Sequence, residues 1–118
     1  MTKYWIVHSK VNTKPLTDWF VSHRFWYTNY DIPEVQNKVK QIEGGDKIAY
    51  HVGGKIKAVG VVAKKADISP FPLFFMKDVV EFEPASKSPV KFPEVLGTIH
   101  GPYGAADEKV KAIWGDEG

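Results

Sequence analysis

The period of the apolar positions changes several times along the chain. Tyr4-Trp5-Ile6-Val7 is a short aromatic and β-branched run that predicts a first strand over Lys3–Ser9. Asn12-Thr13 before Lys14-Pro15 reads as a helix cap and a first turn that tolerates proline. Leu16, Trp19, Phe20 and His23 follow at helical spacing, so a short helix is expected to bury that face. Arg24–Tyr30 mixes aromatic and polar residues without a period and reads as an ordered loop or short strand. Asp31-Ile32-Pro33-Glu34 carries the residue types of a capping box. Val35, Val39 and Ile42 form the apolar stripe behind it, and Gly44-Gly45 stops the helix.

The second half reads mostly as strands. Lys47–Val52, the glycines Gly53-Gly54 and Lys55–Ala63 predict a hairpin, two glycines suiting the positive φ of a tight loop. Beyond Lys57 the returning strand is apolar on both faces, as in a strand within a barrel or beneath a helix. Gly60 marks a bend or a close backbone approach. Ser69-Pro70-Phe71-Pro72 is expected to be a loop, Phe74–Phe82 a third long strand and Pro84–Pro93 a linker. Phe92–Leu96 reads as the start of a short helix and His100–Gly104 as a turn. Ala105–Trp114 predicts a last helix with Gly115 past its end. Strands mixed with short helices, with neither βαβ alternation nor repeat, point to an α+β fold with a small twisted or closed sheet.

Composition narrows the function classes. At 118 residues the chain suits one domain, 1–118. With no cysteine, disulfide frameworks, thiolate zinc sites and cysteine nucleophiles are excluded. No apolar run approaches the ~20 residues of a membrane span, and the start does not read as a signal peptide. A cytoplasmic location is the expectation. The net charge of +2 hides an asymmetry: residues 1–65 carry 11 Lys and Arg against 5 Asp and Glu, residues 66–118 carry 5 against 9. Such asymmetry hints at a surface facing a polyanion.

Catalytic patterns are sparse. His8, His23, His51 and His100 show no metal-binding spacing, and Gly53-Gly54-Lys55 lacks the spacing and the following helix of a phosphate loop. Ser9 has no nucleophile elbow around it. Aromatics make up 14% of the chain, including four Trp, which serves either a core of large side chains or the lining of a pocket. The pattern is that of a binder, without cofactor or metal.

Four segments then resemble EVE domains. Tyr4-Trp5-Ile6-Val7-His8-Ser9 resembles their Y-W-[LI]-x-x-S opening, and Trp26 the tryptophan of their W-G/D-V-x-x-[HN] segment. Val39–Val52 is similar to their (V/M)-K-x-G-D-x-(V/L)-x-(F/Y)-Y step, and Lys57–Val62 to their x-(I/V)-(V/A)-G-x-x-x-V strand. The segments keep that order across residues 4–83. EVE domains belong to the PUA-like group, with YTH and ASCH domains. The resemblance therefore implies a curved mixed β-sheet or pseudo-barrel of about five to six strands flanked by short helices. It also implies a reader that flips a base, methylated or hydroxymethylated, into an aromatic pocket. The partner would be modified DNA or RNA, DNA ahead of RNA because no RNA module is evident beside so small a domain. A nuclease or other effector is a further partner the resemblance suggests, and no membrane is involved. Lys10-Val11 stands where Glu-Pro is common, and Tyr27-Thr28 where Gly or Asp and Val are usual, which leaves the base open.

The residues suit that chemistry. A flipped base forfeits a few kcal/mol of stacking and pairing, which aromatic faces at ~1–3 kcal/mol each and edge hydrogen bonds must replace. Trp26 is the leading wall, with Tyr27 beside it, and Tyr50, Phe71 and Phe74 are candidates for the opposing wall. Ser9, His8 and Asn12 lie near the same rim. Lys10, Lys14, Arg24, Lys55 and Lys57 are the phosphate candidates, which would position a strand without reading it. Two rivals stand beside this reading. One is an ASCH-like enzyme that hydrolyses a modified nucleobase, for which Lys10 near Ser9 is the one suggestive pair. The other is an interaction or scaffold domain in which every aromatic is core.

Overall fold

Strand β1 (Tyr4–His8) begins the architecture and lies between β5 (Lys47–Val52) and the edge strand β8 (Ile99–Tyr103). In a computed structural model, residues 2–8, 10–11, 14–15, 17–28, 31–52, 54–69, 71–89 and 99–115 are described. After β1 come the short pair β2 (Lys10–Val11) and β3 (Lys14–Pro15), helix α1 (Thr17–His23), β4 (Phe25–Trp26) and helix α2 (Pro33–Val39). The chain continues as β5 (Lys47–Val52), β6 (Lys55–Ser69), β7 (Phe71–Lys87), β8 (Ile99–Tyr103) and helix α3 (Glu108–Trp114). Six strands form one sheet in the order β4-β7-β6-β5-β1-β8, while β2 pairs with β3 apart from it. β1 is parallel to β5, and the other pairings in the large sheet are antiparallel. The β6–β7 ladder shifts register at four places. Each shift bends and twists the strands locally, and the sheet curls into a half-barrel. This is the α+β fold expected from the sequence, consistent with a PUA-like pseudo-barrel.

The strand period of two sorts the core into two sides. Trp5 and Val7 of β1, Ile48 and Tyr50 of β5, and Trp26 and Phe74 share one cluster, covered by Phe20 and Val21 of α1 and Val35 and Val39 of α2. Ile6, Ala49 and Ile56 face the other way, under Ile113 and Trp114 of α3. Asp107 caps α3 by accepting from the Lys109 amide at 2.9 Å. Gly60 is a close approach, as expected: a Cβ there would lie 3.1 Å from Met76 Cε and 3.2 Å from Val79 Cγ2.

One buried polar node ties β1 to the turn before β5. Asp46 is 2% exposed. Its carboxylate accepts from the Trp5 indole at 3.1 Å, from the Glu43 amide at 3.0 Å and from the Lys3 amide at 3.2 Å. The Lys3 ammonium stands 3.8 Å away as well. A buried carboxylate is tolerable when its oxygens are satisfied in this way.

Several local readings are corrected. Lys14–Pro15 is not a helical turn but the return strand of a miniature hairpin, Val11 pairing with Lys14 and Lys10 with Pro15. The N-cap of α2 is Ile32, with no side-chain cap bond, so Asp31 does not close a capping box. Phe71 and Pro72 are strand, not loop, Phe71 pairing with Ser69. Pro84–Lys87, expected in a linker, continues β7, since pairing with Ile56 and Lys55 reaches Ser86 and Lys87. His100–Tyr103 is strand β8 along β1, not a turn. Gly101 permits this: its φ is +130°, and a Cβ would stand 2.9 Å from both the Tyr4 carbonyl oxygen and the Trp5 ring. Of the predicted helical face in α1, Phe20 is buried, but Trp19 is 47% exposed and His23 also faces solvent. Leu16, Asn12-Thr13 and Phe92–Leu96 lie outside the described residues.

Candidate functional site

The short strand β4 lies at one edge of the sheet, antiparallel to β7, with Trp26 directly opposite Phe74 and Phe25 opposite Phe75. Alternation sends Trp26 and Phe74 together into the core. Their rings stack with centroids 6.2 Å apart and planes 25° from parallel, and both are fully buried. That is an offset stack of the usual aromatic kind, with no slot left between the rings. The Lys65 ammonium lies 5.9 Å from the Phe74 ring centroid and also donates to the Lys40 carbonyl at 3.2 Å. From the middle of the sheet, the Tyr50 hydroxyl donates to the Phe25 carbonyl at 3.0 Å and fastens β5 to β4 across the curl. Burial pushes the Tyr50 phenol well above its ordinary pKa, so it stays a neutral donor.

One atom of this site is out of balance. The Trp26 indole nitrogen is buried, and no acceptor reaches its N–H among the described residues. An unpaired buried donor costs about 1–3 kcal/mol. Natural folds carry few such groups, and each calls for an explanation.

The other expected site residues distribute unevenly. Trp26, Phe74 and Tyr50 come together in one cluster. Tyr27, just past β4, is half-buried and packs against that same cluster, its ring stacked on Phe25 at 6.2 Å and 9°. His8 shares the side of Ile6 rather than that of Trp5 and Val7. Its ring meets His51 edge-on at 5.7 Å, so it is not brought to Trp26. Among the phosphate candidates, Arg24 is exposed next to β4 with φ 57°. Lys57 is engaged by Asp18 at 3.2 Å. Lys55 is exposed but opens β6, well along the strand from Lys65, which faces Phe74. The backbones of Lys10, Lys14 and Phe71 are in strands, while their side chains, together with Ser9 and Asn12, lie outside the described residues.

Two features escaped the reading of the sequence. Lys65 over Phe74 follows only from the β6–β7 register. The outward Phe75 was not singled out, although the alternation of adjacent strand residues beside an inward Phe74 carries the signal for it. Among the described residues no group of three or more His, Asp or Glu could hold a metal ion. No described helix is long and apolar enough to cross a membrane. No protein-family model matches the chain, and no curated protein matches it.

Proposed function

We propose that the chain is an EVE-like nucleic-acid reader, without catalysis of its own, that takes a flipped, modified base against Trp26. The observation that carries the reading is the buried Trp26 N–H with no acceptor among the described residues. Magnitudes decide what such a base must offer. Extruding it costs a few kcal/mol. Parting Trp26 from Phe74 forfeits about 0.5–1.5 kcal/mol of ring–ring attraction, and a new face on the base returns ~1–3 kcal/mol. Stacking alone therefore falls short. A base whose edge carries an acceptor also relieves the unpaired indole N–H, worth about 1–3 kcal/mol, which brings the sum to about even. A methyl or hydroxymethyl group would add apolar contact in the same interior.

The scaffold reading has its own observation, the complete burial of Trp26, Phe74 and Tyr50. The two readings part in the variant Trp26→Phe, which keeps a stacking ring and removes the N–H. The experiment is a calorimetric titration at one salt concentration with matched DNA and RNA oligonucleotides. Each pair differs by one base: cytosine against its 5-methyl or 5-hydroxymethyl form, adenine against N6-methyladenine. The reader binds one modified member preferentially, and a folded Trp26→Phe loses that preference. A scaffold shows no base-dependent heat in either protein. Consumption of the modified nucleoside, followed by mass spectrometry, would instead favour the ASCH-like enzyme.

A further inference from the structure

The outer side of the β4–β7 edge differs from the buried stack behind it. Trp19 is 47% exposed and Phe75 is 42% exposed. Phe25 joins them: it is T-shaped to Trp19 at 5.0 Å and 80°, and it is the register partner of Phe75. The Trp19 ring is held in place, since it lies 5.4 Å from the His23 ring, whose Nδ1–H donates to the Trp19 carbonyl at 2.9 Å. A half-exposed indole with fixed neighbours is a ready stacking surface.

Its surroundings are basic. Arg24 immediately precedes Phe25, and its own carbonyl accepts from the Met76 amide at 2.7 Å, fixing its backbone against β7. Lys64 is the register partner of Phe75, and Lys77 follows two positions later on the same side of β7. All three are exposed, and none has an ion pair among the described residues. The described lysines that are paired with carboxylates are Lys3, Lys57 and Lys109. Asp18, the acid beside Trp19, is the partner of Lys57 and so is already neutralised. Exposed aromatic faces set among unpaired cations match the chemistry of a single nucleic-acid strand, whose bases stack and whose phosphates are anionic.

We infer that Trp19, Phe25 and Phe75, with Arg24, Lys64 and Lys77, form a stacking ledge for unmodified single-stranded nucleotides. The ledge rests on the proposed function for its polymer alone, because Phe25 and Phe75 alternate with Trp26 and Phe74 along their strands and the ledge needs no modified base. It would hold neighbours of a base whatever the fate of the inner stack.

The test is binding of unmodified single-stranded oligo-dT and oligo-U of about a dozen nucleotides, a length that spans one such site. It is followed by tryptophan quenching and calorimetry over a salt series. Trp19→Ala and Phe75→Ser, both at half-exposed positions, are each expected to weaken binding roughly tenfold. Trp19→Phe, which retains a ring, is expected to restore most of the loss. Arg24→Gln should lower the salt slope by about 0.7, one phosphate contact on a single strand. Melting curves confirm that each variant is folded. Wild-type affinity in both Trp19→Ala and Phe75→Ser would overturn the ledge, as would a wild-type protein that binds no oligonucleotide, which would leave this face to a protein partner. Base preference lost in Trp26→Phe but strand affinity untouched by Trp19→Ala sinks the ledge and leaves the reader standing. A tenfold loss in Trp19→Ala with no base preference in wild type upholds the ledge and sinks the reader.

Discussion

Two tryptophans of the same core cluster are equally buried and differently equipped. Trp5 on β1 and Trp26 on β4 are both 0% exposed. The indole of Trp5 donates to the Asp46 carboxylate at 3.1 Å, inside a node completed by two backbone amides. That of Trp26 is unmatched among the described residues. Burial alone therefore does not distinguish the two, whereas the fate of the N–H does, and on the proposed reading the unmatched indole is the one that meets a ligand. A domain stable by ~5–15 kcal/mol can carry one unpaired donor, but the cost is a large enough fraction to need a return.

Truncation to alanine gives the largest effect and separates the two least. Trp5→Ala and Trp26→Ala should each cost about 3–5 kcal/mol through the cavity left behind, read as a drop in denaturant midpoint. A binding loss in Trp26→Ala would therefore be hard to interpret. Removing only the hydrogen bond sharpens the contrast. Trp5→Phe or Asp46→Ala strands a buried partner and should cost about 1–3 kcal/mol. Trp26→Phe strands nothing and is expected to fall within about 1 kcal/mol of wild type, relief of the unpaired N–H offsetting the smaller ring. Equal losses in Trp5→Phe and Trp26→Phe would break the comparison. Tyr50→Phe, which frees the Phe25 carbonyl, should cost about 0.5–1.5 kcal/mol.

The smallest expected effect concerns pH. Burial, aided by Lys38 and Lys109, holds the His100 pKa below its ordinary 6.5. The unfolded chain then takes up the proton first as pH falls. Stability that is present above pH 6.5 is lost progressively down to the folded-state value. The wild-type melting temperature should fall further across that window than that of His100→Gln.

What was legible in the sequence was locally encoded. β1, the β5–β6 hairpin and the end of α3 at Gly115, whose φ is 74°, follow from residues close together in the chain. β8 was not legible, because Gly101-Pro102 reads as a turn until β1 supplies a partner and the tight contact of Gly101 with Tyr4 and Trp5 is seen. The Asp46–Trp5 node spans 41 positions and leaves no local signature. At the candidate site, Trp26, Phe74 and Tyr50 were singled out and do meet. The side of the sheet taken by His8 depends on strand phase, and the exposure of Trp19 on how α1 lies against β4. A helical face defined by spacing alone could not separate Trp19 from Phe20.

The most direct test of the central claim is the indole region of a ¹H–¹⁵N correlation spectrum, with the four tryptophans assigned by substitution to Phe. In the free protein the Trp5 N–H should be shifted downfield and protected from exchange by Asp46, and the Trp26 N–H should lack the downfield shift of a hydrogen bond. Adding the oligonucleotide that binds with base preference should move the Trp26 resonance downfield and leave Trp5 in place. A Trp26 resonance already shifted like that of Trp5, or unmoved by every oligonucleotide that binds, would contradict the account.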